Sequence, residues 1–375
     1  MMSPEEKWIL HCIHTLITGE PVNEPPELDW DQVMHLAEVN RLMPILQHSR
    51  PEEYAPEEAV ERITESSRRQ RMRAAVLIDE FQRIQTAFHS HQIELIPIKG
   101  IVESQLAYPS PSMRYFDDID ILIRNADGDR ALGTLKELGY EPHPNAPRPE
   151  WHHLPPYIHR KRGTLVEIHI DLIRRSQSGW SVEDVWSRSY IGQLRESTAR
   201  LLSPSDRIVL AALHARHNLY QRLSAFLDIT LICIEAMQKE NFSVELASRA
   251  RQAGACCALA YSLRTAGDLF SIVELPLITC SRSKMQNAQR IGGWDSLESK
   301  SSAVKVGPLS RASEMLLMDS LNDSLALGTR LVFPSRSFVD SSAQEESSAL
   351  WHYARRLGSR LEQAAGQIVS LLRKN

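Results

Sequence analysis

Residues 114–123 read RYFDDIDILI and set three carboxylates, Asp117, Asp118 and Asp120, directly against a run of apolar residues. The apolar run reads as a buried strand, and strand side chains alternate between faces. Asp118 and Asp120 therefore share one face, while Asp117 points to the other. Two carboxylates one strand-step apart repel each other unless a cation lies between them. Magnesium suits such a pair, because it favours oxygen ligands and takes one or two carboxylates together with substrate phosphates; manganese is the alternative. The competing reading is a solvated Asp-rich turn that needs no cation.

Two other segments carry matching chemistry. IELIPIKG (93–100) reads as a strand closing on Gly100 at a turn into a helix, where free backbone N–H groups and the helix dipole favour phosphate. Lys99 stands beside that turn as a point charge for a phosphate. TLVEIHIDLI (164–173) reads as a further strand on which Glu167, His169 and Asp171 share one face. Paired metals bridged by three carboxylates, with phosphates held at a helix start, are the apparatus of nucleotidyl transfer. Arg114, just before the acids, reads either as a second phosphate contact or as a screen for their charge. His214 and His217 in HARH read as packing residues or as groups reaching a substrate cleft. WHHL (151–154) lies in a proline-rich loop, so its histidines are expected to be exposed. No GxSxG, P-loop or GxGxxG pattern is present.

The elements that must position these residues follow from periodicity. The first 90 residues read as helices: Ser3, Pro4 and Glu6 form a capping-box start, and Leu77, Phe81, Ile84 and Phe88 make one apolar stripe on a long helix. A strand at 93–100, a short helix at 101–108, a strand at 119–123, a helix at 126–140 stopping at Gly139 and a strand at 164–173 form a small α/β unit. From 203 the chain reads as helical again, with further helices expected at 244–270, 310–328 and 345–373. Residues 281–305 read as a loop or linker. The expected domains are an N-terminal helical region (1–90), an α/β core (91–200) and a C-terminal helical region (201–375).

A chain of 375 residues, 42% hydrophobic and 24% charged, has ample length for a sizeable core. Its net charge of −4 supplies no global field toward nucleic acid or anionic lipid, so neither membrane nor nucleic acid is an expected partner. The basic runs at 68–73 and 159–162 read as solvated faces. Five cysteines without CxxC spacing argue against a disulfide framework or zinc ribbon and fit a reducing cytoplasm. The opening segment does not read as a signal peptide.

Taken together, IKG (98–100), MRYFDDIDILI (113–123), LKELGY (135–140), VEIHIDL (166–172) and the helical segment 202–229 are similar to the bacterial group described as uncharacterised nucleotidyltransferases, within the polymerase-β-like superfamily. The resemblance covers roughly 90–235. It implies an α+β fold with a small sheet and flanking helices, between N-terminal helices and a C-terminal helical domain. It further implies that Asp118 and Asp120 are metal ligands and that Glu167 is a third acid, as ligand or as base. Lys99 and Gly100 would take the place of the superfamily's glycine-serine turn, and His214 and Asp228 occupy matching places near the substrate cleft, with His169 and Asp171. Gly100 is followed by Ile101 here, so the expected hydroxyl is missing. The implied activity is metal-dependent transfer of a nucleoside monophosphate from an NTP to a hydroxyl of a small molecule, peptide or protein. Two alternatives stand beside it: a degenerate nucleotide- or partner-binding module of the same fold, and an RNA or tRNA nucleotidyltransferase.

Overall fold

The computed structural model describes residues 2–144, 152–172 and 180–294, together with Leu297, 316–320 and Ser324. Four helices come first: α1 (Pro4–Thr18), α2 (Trp30–Asn40), α3 (Met43–His48) and the long α4 (Glu57–Ser90). α1 starts where the sequence places it. Ser3 Oγ accepts from the Glu6 N–H at 3.2 Å and the Ser3 N–H donates to Glu6 Oε2 at 2.7 Å, closing the capping box. The stripe Leu77, Phe81, Ile84 and Phe88 is fully buried on α4.

The α/β part then runs β1 (Leu95–Ile98), α5 (Gly100–Leu106), β2 (Asp118–Ile123), α6 (Gly128–Glu137), β3 (Glu141–Pro142), β4 (Tyr157–His159), β5 (Thr164–His169), α7 (Val182–Arg188), β6 (Tyr190–Gln193) and β7 (Thr198–Leu201). Five strands form one mixed sheet in the order β1-β2-β5-β4-β3, and β6 and β7 form a separate hairpin. β1 runs antiparallel to β2, whereas β2 and β5 run parallel. The three expected strands are all present: the first and third are shorter than read, and the second begins one residue earlier, at Asp118. β3, β4 and the hairpin carry too few residues to show a period in the sequence. Gly139 takes the left-handed conformation, with φ 88°, beyond the end of α6.

The sheet separates two apolar clusters. Ile119, Ile121, Ile123, Val166 and Ile168 pack beneath it with the α4 stripe. Ile96, Ile98 and Leu122 face the other way, into the C-terminal helices α8 (Pro204–His217), α9 (Leu223–Ala236), α10 (Phe242–Gln252) and α11 (Cys256–Phe270). A third cluster joins α1–α3 to α9 and α11 through residues such as Ile13, Met34, Phe226 and Phe270.

The helical pattern from 203 proves to be two helices. Leu219 and Tyr220 adopt left-handed φ values of 51° and 58° between α8 and α9. Tyr220 is buried and its N–H bonds to Ala215 O at 2.7 Å, so packing holds a conformation that its residue type disfavours. The stretch 244–270 likewise divides at Gly254, φ 55°. The expected loop at 281–305 is corrected in its first half: Arg282–Gly292 is a helix, α12, capped by Ser281. Only Ala288 and Gly292 of it are buried, which is why no apolar period marked it. The helices expected at 310–328 and 345–373 fall almost wholly outside the described residues. Among the described residues, no helix is long and apolar enough to cross a membrane.

Candidate active site

The site is built on the face of the sheet turned toward α8. Parallel pairing sets Asp118 opposite Leu165, Asp120 opposite Glu167 and Leu122 opposite His169. Alternation then carries Asp118, Asp120, Glu167 and His169 to one face, because the intervening Ile119, Ile121, Val166 and Ile168 fill the core below. The acids are thus held at the ends of two buried strands. Asp117 faces elsewhere and meets Arg41 at 3.3 Å on the surface.

One carboxylate oxygen, Asp120 Oδ1, is the centre of the cluster. Lys99 Nζ donates to it at 2.7 Å, and His169 Nε2 lies 2.8 Å away. Lys99 Nζ and His169 Nε2 are 3.3 Å apart, and Glu167 Oε2 is 4.0 Å from that same ring nitrogen. Ligand atoms of Asp120, Glu167 and His169 all lie within 4.8 Å of one another. Asp120 and His169 are each only 3% exposed. Two carboxylates and an imidazole converging from a rigid base fit a divalent cation. Asp118 flanks this trio and completes the acidic face.

Charge balance sharpens the point. Burial, with Asp120 adding repulsion, pushes the Asp118 carboxyl up to about 7. Burial and Asp120 also raise Glu167. Burial acts to raise Asp120 too, but Lys99 and His169 outweigh it and hold that carboxyl below the usual range. His169 is lowered to about 4 by burial and by the nearby Lys99, so it is neutral at pH 7. One ammonium faces three carboxylates, and the site is short of positive charge.

Lys99 reaches the acids through an uncommon backbone, φ 57° and ψ −133°, at the turn from β1 into α5. The next residue must be glycine for a packing reason: a Cβ on Gly100 would lie 2.6 Å from Phe116 Cβ. Gly100→Ala is therefore expected to lower stability by about 1–3 kcal/mol, seen as a lower midpoint in urea. An unchanged midpoint would mean that Phe116 yields freely. Ile101, standing where a hydroxyl was expected, is fully buried in the lower core.

Arg114 and Asp228 are brought together. The guanidinium forks onto Asp228, with Nε 3.1 Å from Oδ1 and Nη2 2.8 Å from Oδ2, and its Nη1 donates to Tyr115 O. Tyr108 Oη donates to the same carboxylate at 2.8 Å. This ion pair fastens the loop before β2 to α9. Beside it, Arg207 on α8 donates to both oxygens of Glu103 on α5 at 3.1 and 2.5 Å, both residues buried. Asp171 lies past the end of β5, its Oδ1 accepting from Leu172 N at 2.8 Å. Burial and then Lys99 hold the His214 imidazole well below its usual range.

Two features escaped the sequence. The WHHL histidines are not exposed: His152 and His153 are partly buried, with ring centroids 5.9 and 5.8 Å from His169. The loop returns to bridge β5, and no local signal foretells that. Arg222, immediately before α9, feels the charges of Arg41, Arg114, Asp118 and Asp117, yet among the described residues it makes no ion pair. It belongs to no motif.

No curated protein matches this chain. A solved structure, the solution structure of the antibiotic-resistance factor ANT(2'')-Ia, is similar over 46% of this chain and 91% of that one, at 14% identity and a TM-score of 0.34. The family described as uncharacterised nucleotidyltransferase matches residues 26–271. That span includes every strand and every residue of the acid cluster, and the chain belongs to this family of transferases.

Proposed function

We propose that the protein transfers a nucleoside monophosphate from an NTP to a hydroxyl on a small molecule, peptide or protein, breaking the α–β phosphoanhydride bond and releasing pyrophosphate, using Asp118, Asp120 and Glu167 with magnesium or manganese. The observation that carries this reading is the gathering of Asp118, Asp120 and Glu167 on one rigid sheet face, with Lys99 as the ammonium in direct contact with them. Bound there, a divalent ion would neutralise phosphate charge and lower the barrier to displacement at the α-phosphorus. Asp118 and Asp120 would hold the ion. Glu167, whose carboxylate lies with the ligand atoms of Asp120 and His169, would complete the ligand set, and the proton of the attacking hydroxyl passes to solvent. Lys99, which donates to Asp120 at 2.7 Å, would be the ammonium available to the phosphates once a cation took its place. Arg222 supplies the phosphate contact that Arg114, engaged by Asp228, does not. Arg114 and Asp228 instead position the loop that leads into Asp118.

Label transfer tests the reading. Each α-labelled NTP is incubated with the full chain, magnesium or manganese, and a cell extract, and the labelled product is identified by mass spectrometry. Labelling is expected with at least one NTP, and Arg222→Gln is expected to raise the NTP KM about tenfold. The buried Ile101 and the Lys99–Asp120 pair favour the second reading, a nucleotide-binding module without turnover. Tight, metal-dependent NTP binding without any label transfer would establish that reading in place of the first.

A further inference from the structure

The acid cluster contains a group that a magnesium site does not need. His169 lies 3% exposed on the same face as Asp120 and Glu167, and its Nε2 is 2.8 Å from Asp120 Oδ1 and 3.3 Å from Lys99 Nζ. These neighbours make opposite demands. A neutral imidazole nitrogen either donates to the carboxylate or accepts from the ammonium; it does not do both. If Nε2 carries the proton, it faces the Lys99 ammonium with no lone pair to offer. If Nδ1 carries it, Nε2 confronts a carboxylate oxygen, and Nδ1–H is buried without a hydrogen-bond partner among the described residues. Each tautomer leaves one group poorly satisfied.

A cation shared by Nε2, Asp120 Oδ1 and Glu167 relieves the clash at Nε2, since all three then offer lone pairs to one centre; the proton stays on Nδ1, which has no partner among the described residues. Magnesium takes oxygen ligands, whereas an imidazole nitrogen suits first-row transition metals. Resting on the nucleotidyl-transfer reading of this cluster, we propose that Asp120, Glu167 and His169 bind a divalent transition-metal ion of the manganese, cobalt or zinc class in preference to magnesium. Lys99 is the resident counter-ion that this metal displaces. The ammonium holds the carboxylates together in the metal-free protein, and its loss from Asp120 couples metal entry to the release of a cation for phosphate.

Binding of each metal alone, without nucleotide, tests this on the full chain stripped by a chelator. Titration with Mn2+, Co2+, Zn2+ and Mg2+ is expected to show the transition metals binding at least about tenfold more tightly than magnesium. His169→Gln is expected to erase that preference while leaving Mg2+ affinity within about threefold, and Lys99→Met to tighten binding of every ion. The variant also separates this site from surface histidines. Nitrogen hyperfine coupling in the pulsed EPR spectrum of bound Mn2+ reads the His169 ligand in the unmodified chain, so the test survives a variant that does not fold. Equal affinity for Mg2+ and Mn2+, a preference unaltered in His169→Gln, or Mn2+ without nitrogen coupling overturns the proposal. Label transfer that proceeds despite those results leaves the nucleotidyltransferase reading standing. Selective binding without transfer under any metal overturns that reading alone.

Discussion

Asp118→Asn is expected to lower nucleotidyl transfer by at least about 100-fold while making the metal-free protein more stable at pH 8. The activity loss follows from the metal-ligand role proposed for this carboxylate; even groups that only support metal ligands cost 10–100-fold when removed. The stability gain follows from the environment of the carboxyl. Its pKa is raised to about 7 from an ordinary 3.8 by burial and by Asp120. Between those values the folded state holds a proton that the unfolded chain has released, so folding stability falls as pH rises through this window. Asparagine carries no such penalty. The variant's advantage in chelator should therefore be near zero at pH 4 and complete above pH 7, about 1–3 kcal/mol. Thermal or urea melts across that range check the prediction. A variant less stable than its parent at pH 8 would show that Asp118 is not held against repulsion. Asp120→Asn is a poorer probe, because it strips half-buried Lys99 of its partner and mixes folding with chemistry.

Asp228→Ala is expected to cost about 3–5 kcal/mol of folding stability. It leaves the half-buried Arg114 guanidinium without its fork acceptor and the buried Tyr108 hydroxyl without its partner. Breaking one side of a buried ion pair costs more than the pair contributes net, because the remaining charge stays desolvated. Activity should fall too, through the loop that Arg114 anchors before β2. Asp228→Asn, which keeps an acceptor oxygen, should recover part of the loss. A shift in urea midpoint equivalent to less than about 1 kcal/mol would mean that the pair is solvated and that Asp228 faces substrate instead.

Part of this site is legible in the chain itself. Asp118 and Asp120 share a face, as do Glu167 and His169, because strand alternation is a local rule that depends on nothing distant. The stripe from Leu77 to Phe88 and the capping box at Ser3 are legible for the same reason: each spans a few residues. Helix ends in the C-terminal region are less legible. Leu219 and Tyr220 break the pattern through left-handed backbone that neither residue type favours, and only the burial of Tyr220 sustains it. α12 was missed because so little of it is buried.

What the sequence by itself determined is therefore the set of acids, their faces, and the strands that carry them. Tertiary structure alone decided which charges meet. Parallel pairing placed Asp120 beside Glu167, and the turn after β1 brought Lys99 onto Asp120. It also paired Arg114 with Asp228, 114 residues further along the chain. The reason is one of range: alternation is set by covalent geometry between neighbours, whereas the partner of a charge is chosen by whatever distant segment packing brings within about 3 Å.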